Sequence, residues 1–299
     1  MRSKQLIVAV FVLLGVGSAV AALDEAAIEE ADALYEDDRS EQAIRVLEGA
    51  LSSARTDADR AEVFWRLSRA TLAVGEDQED AGEPTSEVLA TYEEGEQYGI
   101  QAVEADPGNH LGYYWQSANI GKWGQAKGIL DSLFKAGPMR DLLKEAIERE
   151  PDHAGSYYVL GQLYSEVPGF ISFGNVNYAV SLARKSIDLH EAELRAGEAE
   201  DVEHDYYIQL ANHLIKRNWN ERRREREQEN KERRYNDTTD QLEKGWFYEG
   251  VVRIPGESDR DEAEDLLRDM IRRLEAIGGD RTDGQERQLT DARELLEQL

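Results

Sequence analysis

The chain has 299 residues, no Cys, six Pro, and 62 Asp or Glu against 35 Lys or Arg, for a formal net charge of −27. Without cysteine there are no disulfides and no lipid on an N-terminal cysteine, so the core alone must hold the fold. So acidic a chain is repelled by phosphate backbones and anionic membrane surfaces, which excludes nucleic acid as a reasonable partner.

The first residues read as an export signal. Arg2 and Lys4 give a positive start, Leu6 to Val16 is apolar apart from Gly15, and Gly17 to Ala21 supplies small residues for cleavage after Ala21. The alternative is an uncleaved membrane anchor. Spanning a bilayer takes roughly 20 apolar residues, about twice the strongly apolar part here, so cleavage is the expected outcome. Removing Arg2 and Lys4 shifts the net charge from −27 to −29. The bases are 26 Arg and 9 Lys. Excess carboxylate with few Lys suits a salty medium, where screening relieves self-repulsion, so stability should rise with salt.

Beyond the signal the composition favours helix, and runs alternating with period 2 are absent. The pattern repeats. Ala102-Val103-Glu104-Ala105-Asp106-Pro107 matches Ala146-Ile147-Glu148-Arg149-Glu150-Pro151, and each Pro ends a helix. Asn109-His110 then leads to Tyr113-Tyr114, as Asp152-His153 leads to Tyr157-Tyr158, with Asn and Asp placed as caps. This is the tetratricopeptide (TPR) pattern of paired antiparallel helices. Second helices carry Ala43, Leu47 and Ala50; Gly95, Gly99 and Ala102; Met139, Leu143 and Ala146; and Ala179, Ala183 and Ser186. Each trio falls on one helix face, where small side chains admit the partner. A small residue recurs in the first helices at Ala31, Ser68, Ser117, Gly161 and Ala211, at separations of 37, 49, 44 and 50. TPR units run at about 34 residues, so long loops are expected within repeats, at 75–87 and 166–175.

Asn220 to Arg234, with seven Lys or Arg and five Glu, reads as a solvated helix laced with i,i+4 pairs. Lys244 to Gly250 interrupts the helical pattern with Gly and aromatics, and two helices follow near Asp259–Ile277 and Asp283–Gln298. The expected fold is an all-α TPR-like helical-hairpin solenoid of about five pairs. The expected divisions are a signal peptide over 1–21, repeats over 22–237, and an aromatic linker with capping helices over 238–299.

From Asn109 to His190 the similarity becomes specific. It is carried by Tyr113-Tyr114-Trp115, Asn119-Ile120-Gly121-Lys122-Trp123, Leu160-Gly161-Gln162-Leu163-Tyr164, Val167-Pro168-Gly169-Phe170 and Gly174-Asn175. Over about 130 residues, 86–218, the chain resembles the TatT family, TPR accessory components of TRAP-type (tripartite ATP-independent periplasmic) solute transporters. It is also similar to the regulators of microtubule dynamics of animals. The first resemblance implies a periplasmic protein whose concave face or pore takes a hydrophobic or organic ligand. It implies a periplasmic substrate-binding protein as partner and allows a homo-oligomer. The studied family members are lipoproteins, and this chain has no cysteine to lipidate, so a soluble form is expected. The export signal sets the microtubule role aside.

Residues one step beyond the core positions of each first helix should line the inner curve. Counting gives Trp65, Arg69, Tyr114, Tyr158, Gln162 and Asn212, with Trp115 beside them. Aromatic and polar residues in that arrangement suit an apolar ligand or a peptide, although the same aromatics could fill the core instead. Phe170 and Phe173 in the loop 168–174, and Lys122 and Trp123 between Gly121 and Gly124, are further candidates that could equally fold back on their own repeats. The standard nucleophile elbow and phosphate loop are missing, and the five His stand in no metal-ligand spacing. Binding without catalysis, metal or cofactor is the expectation. The alternative is a periplasmic scaffold that takes a segment of another protein.

Overall fold

A computed structural model describes residues 23–199 and 201–299, so the expected export signal lies outside the described residues. Within them are thirteen α-helices and no strand. Helix α1 (Glu25–Glu36) packs on α2 (Ser40–Ala50), α3 (Asp57–Asp80) on α4 (Thr85–Ala105), α5 (His110–Lys127) on α6 (Ile129–Arg149), and α7 (Ala154–Glu166) on α8 (Val176–Ala196). The partner of α9 (His204–Arg217) is not the next helix. After α10 (Glu221–Asp237) and the short α11 (Gln241–Phe247), α12 (Asp259–Ile277) returns to pack on α9, and α13 (Asp283–Glu297) packs on both. Polar side chains start these helices as the sequence suggests. Thr56, Ser258 and Thr282 each form a capping box, and Asn109 and Asn175 accept backbone N–H bonds. Asp152 does not cap, because α7 begins one residue later, after His153.

The repeat positions explain the stacking. Ala43, Leu47, Leu143, Ala146, Ala179 and Ser186 are almost fully buried, as are Ser68, Ser117 and Ala211. Ser68 Oγ donates to the Gly95 carbonyl (2.7 Å), and the Asn119 amide donates to Ser68 Oγ (3.1 Å), tying α3, α4 and α5 together. At Gly99 a Cβ would lie 2.7 Å from Gln116 Cα, so α4 and α5 approach as closely as they do only because Gly99 has no side chain. Four apolar clusters follow one another from α1 to α13, the continuous spine expected when each pair buries its face on the next.

Most of the extra repeat length lies in longer helices, which corrects the expected loops. Gly75 is inside α3 with the Tyr92 ring against it, and α4 begins at Thr85. Gly121 to Gly124 is part of α5, and Gly128 alone joins α5 to α6, at φ 103° where other residues are strained. The segment 167–175 is a true loop. The charged helix α10 is also not solvated all round, since Arg224 and Lys231 are buried. They join a knot of charge between α8, α9 and α12. Arg184 pairs with Glu249 (3.1 Å) and Glu262 (2.7 Å), Arg217 with Glu249 (2.6 Å) and Asp259 (2.7 Å), and Lys231 with Glu249 (2.6 Å), while Arg224 reaches Glu262.

Candidate ligand-binding hollow

The first helices α3, α5, α7 and α9, with part of α6, line a common hollow of about 650 Å³, to which Tyr35 of α1 and residues of α13 also contribute. An ion pair between Arg287 of α13 and Asp80 of α3 joins the two ends of the curl. The lining residues drift along the helices. On α3 they are Leu72 and Glu76, four and eight residues after the small residue Ser68; on α9 they are Asp205, Tyr206 and Gln209, six, five and two before Ala211. The superhelical twist of a solenoid produces this drift, since each helix crosses the hollow at a different height.

That drift decides where the candidate residues fall. Tyr114, Trp115, Lys122, Tyr158 and Gln162 line the hollow. Trp65 and Arg69 do not. Trp65 is buried and donates to Glu62 (3.0 Å), while Arg69 pairs with Asp32 and stacks 4.0 Å over the Tyr35 ring. Trp123 lies outside the hollow, in the cluster with Leu72, Val88 and Tyr92, and donates to Glu93 (2.9 Å). Asn212 stands three residues beyond Gln209 and is not among the lining residues. The two loop aromatics diverge. Phe173 packs on Tyr164, with ring centroids 5.4 Å apart, under the Arg140 guanidinium, whereas Phe170 is 89% exposed. His110 and His153 meet edge to face at 4.9 Å, so their repeated position serves packing, and burial pushes His153 down to about 3.

The centre of the hollow is a polar and aromatic arrangement. The Tyr158 hydroxyl donates to Asp205 and accepts from the Gln162 amide (2.8 Å), and the Tyr158 ring stacks on Tyr206 at 4.6 Å. Tyr114 meets Trp115 edge to face at 4.8 Å. Lys122 pairs with Glu76. Burial pushes the Asp205 carboxyl up to about 6; Lys122 opposes this, and Asp291 and Glu76 reinforce it. Glu203 and Asp291 keep substantial exposure and are also raised, first by partial desolvation and then, despite His190 and Arg287 respectively, by neighbouring carboxylates. Burial raises Tyr35 to about 12, with Glu76, Glu36 and Glu203 adding to it against Arg69.

Counting along helices missed Tyr35, Glu76, Asp205, Tyr206 and the whole of α13. Asp205 and Tyr206 stand at the start of a first helix, just before Tyr207, which matches Tyr113 and Tyr157, and that nearness was their one signal. No repeat position pointed to α13.

A helical-repeat protein is what this geometry defines, and comparison gives its relatives. A family model described as regulator of microtubule dynamics protein 1-3 matches residues 27–171. Regulator of microtubule dynamics protein 1 of Bos taurus is 27% identical over 137 residues, 46% of this chain and 41% of that protein. The chain thus spans less than half the length of that relative. Among solved structures, the MamA RS-1 ArsTM double mutant aligns with 82% of this chain and 94% of its own, at 12% identity and a TM-score of 0.41. The first half of this chain is therefore related in sequence to the regulators of microtubule dynamics.

Proposed function

We propose that this chain is a binding protein, not an enzyme, that holds a small organic ligand in its hollow. In this reading it works after export as an accessory component of a TRAP-type transporter, beside a periplasmic substrate-binding protein. The observation that carries the binding reading is the hollow itself. Its volume of about 650 Å³ lies within the range of roughly 300–1,000 Å³ usual for ligand sites. It has aromatic walls and a few converging polar groups, as such sites do. Export and the transporter rest on the N-terminal pattern and on the resemblance at 109–190. No helix among the described residues is long and apolar enough to cross a membrane. The microtubule function in the bovine relative's name is not carried over, because the match covers 41% of that protein.

Native mass spectrometry of the purified full chain tests the binding reading. A small molecule should accompany the wild type and be lost from Gln209→Trp, which fills the hollow, with the melting temperature checking that the variant folds. A bare wild type that instead captures a segment of an exported protein would replace this reading with the scaffold. A TRAP-type permease gene beside this one supports the transporter role, and its absence removes the transporter from the proposal.

A further inference from the structure

The charges around the hollow do not balance, and the imbalance bears on what the ligand is. This step rests on the reading that the hollow holds a small molecule. Three cations line it, and each already has an anion: Lys122 pairs with Glu76, Lys135 with Glu96 (2.7 Å) and Arg287 with Asp80. Glu203, Asp205 and Asp291 also line it, and among the described residues no Lys or Arg forms an ion pair with any of them. Asp205 is half-buried, while Glu203 and Asp291 keep substantial exposure; a carboxylate partly withdrawn from water without a counter-charge is costly, and a bound cation relieves that cost.

Two further observations point the same way. The Gln288 side-chain oxygen is buried without a partner and lines the hollow, where an ammonium N–H can reach it; the Trp115 indole N–H, also unpartnered there, is a donor and calls instead for an acceptor on the ligand's body. An unsatisfied buried acceptor calls for a donor from elsewhere. The walls carry five aromatic rings, Tyr35, Tyr114, Trp115, Tyr158 and Tyr206, and Glu203 acts electrostatically on three of them, Tyr35, Tyr114 and Tyr206. Aromatic faces beside carboxylates attract an organic cation twice over, through the ring quadrupole and through charge. A bare metal ion fits less well, since among the described residues no three His, Asp or Glu are grouped to hold one.

We infer that the hollow selects an organic cation, an amine with an apolar body, its ammonium group held by Asp205 and Glu203 and its body by the surrounding rings. Asp205 faces Tyr158 from α7, Lys122 from α5, Glu76 from α3, Asp291 from α13 and Gln209 from its own helix. Its carboxyl is pushed up to about 6, so acidification through that value removes negative charge where the ammonium sits.

Calorimetric titration of the full chain with three probes of one size tests this: 2-phenylethylammonium, 2-phenylethanol and 3-phenylpropionate. At pH 7.5 the ammonium should bind at least tenfold more tightly than the alcohol, and the carboxylate should not bind. Its affinity should fall several-fold at pH 5.5. In Asp205→Asn, checked by its melting temperature, affinity for the ammonium should drop about tenfold and its pH dependence flatten. Equal binding of ammonium and alcohol, or tighter binding of the carboxylate, overturns the cation inference and leaves the ligand-binding reading in place. If none of the three binds, both fall.

Discussion

Two regions of this molecule gather acidic groups, one fully buried and one only partly, and they treat them in opposite ways. In the knot between α8, α9 and α12, every buried carboxylate meets a base. Burial alone would raise Glu249, but Lys231, Arg217 and Arg184 outweigh it and hold the carboxyl well below its usual range. Glu262 is likewise held down, by Arg184 and Arg224 against its own burial. In the hollow, Asp205, Glu203 and Asp291 lack such partners, and their carboxyls are raised. The knot is complete in itself and fastens α10 and α12 to the solenoid. The hollow is electrostatically incomplete, which suits a place that receives something.

The comparison breaks most readily at Glu249. Glu249→Ala leaves Arg184, Arg217 and Lys231 buried around a gap, and chemical denaturation should show a loss of about 3–5 kcal/mol. A loss under 1 kcal/mol would mean that water reaches the knot. Asp205→Asn should act with the opposite sign. At pH 7 it removes an uncompensated carboxylate whose pKa rises from 3.8 to about 6, a cost of at most about 2–3 kcal/mol, so this variant should be as stable as the wild type or more so.

The pH dependence sharpens the contrast. Asp205 binds its proton more readily folded than unfolded, so its penalty is absent below pH 4 and grows as pH rises through about 6. Glu262 is lowered from 4.5, so the stability it contributes is present above that value and disappears as pH falls through its folded pKa. Thermal unfolding across pH should therefore show a maximum near 4.5, and in Asp205→Asn the decline from pH 4.5 to 6 should be shallower. Salt should separate the regions further. Going from low to molar salt should raise the melting temperature by screening the net charge of −27, whereas the penalty for Glu249→Ala should hardly change, because buried pairs are screened little. The smallest effect is expected away from both regions. Phe170→Ser, at an 89% exposed side chain, should change stability by no more than about 0.5 kcal/mol, and Phe173→Ser should cost more because that ring packs on Tyr164.

How much of this was legible in the sequence follows from the range of each signal. Small residues at Ala43, Ser68, Gly99, Ser117 and Ala179 announce close helix approach through local spacing, and all are buried in the structure. Tyr114, Tyr158 and Gln162 were found on the hollow because α5 and α7 cross it near their small residues. The same count placed Trp65, Arg69 and Asn212 wrongly for the hollow, because twist moves the crossing point along α3 and α9 and one repeat cannot reveal it. Arg224 and Lys231 looked solvated because their charged partners lie 18 to 38 residues away, across a chain reversal with no periodic mark. The closure by α13 depends on a contact 207 residues apart in sequence.

A crystal structure of the full chain grown with 2-phenylethylammonium at neutral pH tests the central claim most directly. The account predicts density for the amine inside the hollow, its ring against Tyr158 or Tyr206 and its nitrogen beside Asp205. An empty hollow with the amine bound elsewhere, or a hollow filled by side chains, would contradict it.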